Sequence, residues 1–230
     1  MSDAVVSAAS AWTQIDAVLG EAGGVEERVR GTRGLDRSTL RALAWSLAGS
    51  AAFGAALGSY GHSAAQLLLS ALKVPILLLG TAALCLPAFH VLQRLRSPRP
   101  LGVAQSLALQ GHTLATVGLV WGSFAPPLAF LVGTCQDYRL AQWLALGVGA
   151  AGGLAGLRRL IGAHRRLTAV EGGRPHSAFL VAYGVLFAVV GGQLAWILRP
   201  FIGSPSLGFQ LLRPLEGSMF GYLLHIVGVR

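Results

Sequence analysis

The sequence predicts an all-α, polytopic integral membrane bundle of five transmembrane helices, with the N-terminus in the cytoplasm and the C-terminus outside. Three observations carry this. Charged residues make up 12% of the 230 and the hydrophobic set 53%, against roughly 25% charged in a soluble domain, and mean hydropathy is +0.61. Charge-free windows run over 42–72, 74–93, 100–136, 140–157 and 175–198, with lengths of 31, 20, 37, 18 and 24 residues. Basic residues flank those windows on alternate sides. The composition excludes a disordered chain, a coiled coil and an ordinary soluble enzyme.

Each window holds one crossing, because a hydrocarbon core of about 30 Å needs about 20 helical residues. Backbone amides in lipid must be satisfied internally, which leaves helices or closed barrels. The windows lack period-2 alternation and far exceed the roughly 10 residues of a barrel strand. The first span falls at 42–59, with Asp36 or Ser38 as its cap. The second falls at 74–92; Pro75 sits just inside its start, where a missing donor costs least, and Pro87 kinks it. Ala64–Leu72 precedes it as a short apolar helix, either interfacial or continuous with the span. The third falls at 103–123, where Pro126 and Pro127 end it near Phe124. Residues 128–136 then lie at the outer interface or dip back. The fourth and fifth spans fall at 139–157 and 177–197.

Thirteen basic residues lie before the first span and in the second and fourth connections, against five in the first and third connections and the tail. The positive-inside rule then sets the N-terminus inside, and an odd number of spans sets the C-terminus outside. The net charge of +9 therefore reads as topological anchors beside anionic headgroups, with no aromatic-interleaved face for nucleic acid. Residues 1–39 form a cytoplasmic extension. In it Val5, Ala8, Ala9, Trp12, Ile15 and Leu19 recur at helical spacing, as a short amphipathic helix ahead of a charged linker. Residues 40–200 make the membrane domain. Residues 201–230, apolar and punctuated by glycine and proline, form an extracytoplasmic tail packed on the bundle. Cys85 and Cys135 make no framework and suggest no metal.

Small residues at four-residue spacing mark helix-packing faces: Gly54/Gly58, Gly118/Gly122, Gly149/Gly153 and Gly152/Gly156. Lacking side chains, they let helices approach closely in a solvent that provides little hydrophobic drive between them. Polar groups inside the bilayer are costly and so mark candidate sites. In the third span Gln105, His112 and Thr116 share one face. Counted from the span's start, His112 lies about 14 Å deep, near the midplane, and Gln193 of the fifth span is its candidate partner across the bundle. A pore or proton relay is one reading of that face, and a buried, hydrogen-bonded histidine the other. No Asp or Glu lies inside a span. Lys73, Asp137, Arg139, Arg199, Arg213 and Glu216 gather at the outer surface as an ion-pair or anion cluster. No nucleophile elbow, phosphate loop or metalloprotease pattern occurs, and no cofactor is expected.

The segments ALKVPILLLGTAALCLPAFHVL (71–92), SFAPPLAFL (123–131) and GGQLAWILRPFIGSP with LLRPLEG (191–217) resemble a group of bacterial five-span integral membrane proteins and are loosely similar to the Yip1-type proteins. The resemblance implies a cytoplasmic N-terminus, five spans and the bacterial cytoplasmic (inner) membrane, and it implies no catalytic residues. The functional expectation is a non-enzymatic scaffold or accessory subunit, homo-oligomeric or bound to other membrane subunits. A small oligomeric channel or transporter is the alternative.

Overall fold

The structure is a computed structural model that describes residues 36–60, 63–96, 100–135, 137–169 and 178–202, together with Val29 and Gly31. Five α-helices follow in order: α1 (Arg37–Gly58), α2 (Ala64–Arg96), α3 (Val103–Cys135), α4 (Tyr138–Ala169) and α5 (Ala178–Leu198). All five are long and apolar enough to cross a membrane. The amphipathic segment expected at 5–19, the linker and the tail beyond Ile202 lie outside the described residues.

Asp36 caps α1, its carboxylate accepting the Thr39 amide at 2.9 Å. Thr39, through its side chain and its amide, holds the Asp36 carboxyl below the ordinary carboxylate range. The cap's contribution is therefore fully present above about pH 4, the ordinary carboxylate value, and is lost as pH falls through the lowered one. Asp36→Ala is expected to cost about 1 kcal/mol. A thermal scan of the detergent-extracted protein at pH 7 checks this, and the difference from the parent protein should shrink on acidification.

Three helices are longer than the spans the charge-free pattern suggested; α4 continues from Leu157, through Arg158, Arg159, Arg165 and Arg166, to Ala169. Ala64–Leu72 is continuous with the second span, so Pro75 as well as Pro87 lies inside α2. The expectation that Pro126 and Pro127 end the third span is corrected: α3 runs through both to Cys135. Each proline removes one backbone donor, which costs far less where packing holds the segment straight than in an isolated helix. Here Ala125, Leu128 and Val132, spaced three and four apart, are buried in the core, while both prolines are exposed on the opposite side. Gly122, whose carbonyl loses the Pro126 donor, has no side chain to crowd the ring.

The helices are arranged around the bundle in the order α5, α2, α1, α3, α4, α1 packing extensively on both α2 and α3. The circuit closes where α4 meets α5, with Leu157 against Gly184 and His164 edge-on to Phe179, ring centroids 5.1 Å apart. Apolar side chains fill the middle in two clusters. At the end bearing Arg94, Val29, ahead of α1 in the sequence, joins Phe89, Leu109, Leu160, Leu180 and Tyr183. Towards the opposite end, Phe53 stacks on Trp121 at 5.2 Å among Leu57, Leu78, Leu128 and Ile202.

Candidate functional site

Three arrangements carry the polar and close-packing chemistry. The first is the seam between α1 and α3. Two parallel helices approach so closely there that their backbones touch: a Cβ at Gly118 would lie 2.6 Å from the Ser46 Cα, and one at Gly122 3.1 Å from the Gly49 Cα. His112 and Thr116 belong to this region, 2% and 7% exposed. The Ser38 hydroxyl lies 3.4 Å from His112 Nε2, and the Thr116 hydroxyl donates to the His112 carbonyl at 3.3 Å. Gln105 is not part of the group; its side-chain oxygen accepts the Gly102 amide at 3.0 Å and so caps α3. Gln193 is not placed beside His112 as the sequence suggested: Tyr183 of α5 is level with Gln110 of α3, and Gln193 lies ten residues further along α5, about 15 Å at 1.5 Å per residue. The hydrogen bond between α3 and α5 is instead made by Gln110, whose amide donates to the Tyr183 hydroxyl at 2.6 Å.

The second arrangement is a polar ladder on α2. Gln66, Ser70 and Lys73, at i, i+4 and i+7, share one face and are all buried. They donate to the two carbonyls that follow α5. Lys73 Nζ reaches the Pro200 carbonyl at 3.3 Å, the Gln66 amide reaches those of Pro200 and Phe201 at 3.4 Å each, and the Ser70 hydroxyl also donates to Phe201. Arg199, just before them, stacks its guanidinium 3.6 Å over the Trp196 ring, a cation–π contact that shields the charge. Of the other cluster residues, Asp137 starts α4 by accepting the Arg139 amide at 2.8 Å. The Arg139 side chain is exposed. Arg213 and Glu216 lie outside the described residues. The expected outer cluster thus resolves into a helix cap and a ladder for the chain after α5; Gln66 and Ser70 went unnoticed because the carbonyls they serve lie more than 130 positions away.

The third arrangement concerns the glycines. Gly54 and Gly58 take the α2 backbone at Ser70 and Gln66, and Gly118 and Gly122 take α1 at Ser46 and Gly49. Gly152 receives the Trp121 indole and Gly156 the Val117 side chain, both from α3. Gly149 and Gly153 differ: among the described residues a Cβ at either would meet nothing within 4 Å, and Leu146 and Leu154 beside them are 48% and 58% exposed. Cys85 is buried and Cys135 exposed, both free. Among the described residues no three His, Cys, Asp or Glu side chains gather as a metal site would need.

These features define an all-helical membrane bundle whose polar groups serve mainly its own packing. No protein-family pattern, curated protein or solved structure matches the chain.

Proposed function

We propose that the protein is a non-enzymatic integral membrane scaffold or accessory subunit, assembling with a second copy or other membrane subunits through α4. We place it with the bacterial five-span proteins it resembles, in the cytoplasmic membrane with the N-terminus inside. The observation that carries the reading is the pair Gly149/Gly153. The other small-residue pairs are occupied by neighbouring helices of the same chain, whereas no described residue covers this face, which lies beside exposed leucines. Glycine in a helix costs about 0.5–1 kcal/mol relative to alanine, and lipid tails give nothing in return. A helix packed closely against it does, through van der Waals contact. The His112–Thr116 region gives less support to a pore, because α1 closes over it.

The native mass of the detergent-extracted complex tests this. An assembly larger than one 23.9 kDa chain is expected, and Gly149→Leu/Gly153→Leu should reduce it to folded single chains, since no described residue lies within 4 Å of a Cβ built at either position. A parent protein that stays a single chain in mild detergent, or that conducts ions alone after reconstitution, would overturn the proposal.

A further inference from the structure

Contacts between helices fix the relative heights of their residues, and the heights disagree about where the membrane ends. Thr39 packs on Gly111 and Ser46 on Gly118, which sets α1 parallel to α3. Gly152 packs on Trp121 and Gly156 on Val117, which sets α4 antiparallel to it. The Gln93 amide donates to the Ser106 hydroxyl at 2.7 Å, with His90 3.4 Å from the same oxygen, which sets α2. Counting along the helices from these contacts, Leu40 of α1, Thr113 of α3, Arg159 of α4 and Leu84 of α2 lie within about one turn, 5.4 Å, of a common height. The α1–α2 contacts of Gly54 with Ser70 and Gly58 with Gln66 give the same match of Leu40 to Leu84 by a separate route.

From that height towards the basic end, the exposed surfaces diverge. On α2 it continues apolar through Leu84, Pro87, Val91 and Leu95, and on α5 through Val181, Ala182 and Val185. On α1 it presents Arg37 and Arg41, and on α4 Arg158, Arg165 and Arg166. Arg41 stands about 15 Å further into the bundle than Arg94, at 1.5 Å per residue. A flat boundary drawn perpendicular to the helices at Arg94 would leave exposed arginines deep in hydrocarbon, which is strongly unfavourable. A boundary at Arg41 would strand the apolar surface of α2 and α5 in water.

We infer that the bundle sits obliquely in the bilayer, so that on the α1–α4 side Arg37, Arg41 and Arg158 form a band that binds the phosphates of anionic lipids of that leaflet. The charge-free length on this side, from Arg158 to Arg139 of α4, is 18 residues, about 27 Å at 1.5 Å per residue, which matches a bilayer core without thinning it. The guanidinium fork suits a phosphate better than an ammonium does, and 17 of the 18 cationic side chains in the protein are arginine. The nearest described acid, Asp36, is committed to capping α1. With this seating His112, close to Ser38, lies near a headgroup region instead of at the midplane.

Single cysteines at positions 40 and 84 test the geometry. Both side chains are exposed, 53% and 64%, and the background is Cys135→Ser, Cys85 being buried. In nanodiscs containing phosphatidylglycerol, where both membrane faces meet solvent, Leu40→Cys is expected to react with a charged maleimide at least tenfold faster than Leu84→Cys. Equal protection, equal labelling or the reverse order overturns the oblique seating. For the lipid, more phosphatidylglycerol than phosphatidylcholine should remain bound in native mass spectrometry of the parent protein, and Arg41→Gln/Arg158→Gln should abolish the difference. No preference in the parent, or one unchanged in the variant, overturns the phosphate assignment. A preference for an acidic peptide in place of the lipid does the same.

Discussion

Gly49→Ala and Gly118→Ala are each expected to separate α1 from α3 and deprive the bundle of its tightest interface. A Cβ at Gly118 would lie 2.6 Å from the Ser46 Cα and 2.8 Å from the Ser46 carbonyl oxygen; one at Gly49 would collide with the carbonyl of Gly118. These are backbone atoms, so no rotamer change relieves the clash and the helices must move apart. Their separation loosens the whole parallel seam, including the Thr39–Gly111 contact and the hydrogen bond between Ser38 and His112. Overpacking a well-filled core costs about 1–3 kcal/mol, occasionally more, and the upper end applies where backbone meets backbone. Unfolding temperature and the yield of monodisperse protein in detergent measure it. Gly153→Ala, with no described residue within 4 Å of the new Cβ, should leave both unchanged. Ser46→Ala should be neutral or slightly stabilising, because the Ser46 hydroxyl is buried without a hydrogen-bond partner and a buried unsatisfied hydroxyl costs about 1–3 kcal/mol. Equal tolerance at Gly118 and Gly153 would sink the seam argument.

The contrast between these glycines marks where sequence reasoning stops. Helix number and about half of the limits were legible, because the absence of charge over a bilayer's length is a property of composition alone, whereas α2, α3 and α4 extend beyond that length. The cap at Asp36 was legible too, being a local interaction. The partner of each small face was not. Gly152 and Gly153 are adjacent and equally small, yet among the described residues one receives the Trp121 indole and the other nothing; only the direction of α4 relative to α3 separates them. Gly49 escaped notice because its close counterpart is the backbone of another helix and not a second glycine four residues away. Pro126 and Pro127 misled for a related reason. Proline is a strong local signal, but Ala125, Leu128 and Val132 bind α3 to the core on the side away from them, and that tertiary hold exceeds the loss of two backbone donors. Height was hidden as well. His112 counted from its own helix lies deep, whereas the arginines at its level belong to α1 and α4.

Replacing Lys73, the single lysine of the chain, with methionine is expected to weaken the hold on the segment after α5, and replacing the whole ladder to release it. Lys73 is 4% exposed and lies in a helix that crosses the membrane, so its ammonium remains there only with acceptors to meet. The Pro200 carbonyl is one of them. Methionine keeps the length of the stem and removes the donor. Hydrogen bonds to charged groups contribute about 1.5–3 kcal/mol, so the single variant should lose an amount in that range, reduced by relief of burying a charge. Gln66 still serves the Pro200 carbonyl and Ser70 that of Phe201, so the segment should stay docked. Gln66→Leu/Ser70→Ala/Lys73→Met leaves both carbonyls without these donors in a buried site. Their need for solvent then favours undocking, which withdraws Ile202, 7% exposed, from the cluster of Leu57, Leu78 and Leu128. Ile202→Cys in the Cys135→Ser background reports the event directly. The thiol should resist maleimide in the parent ladder, remain largely protected with Lys73→Met, and react freely in the triple variant. Arg139→Gln, at an exposed position on α4, should change neither reactivity nor stability by more than about 0.5 kcal/mol. Protection that survives the triple substitution would mean that apolar packing of Phe201 and Ile202, and not the polar ladder, fixes the chain where it leaves the membrane.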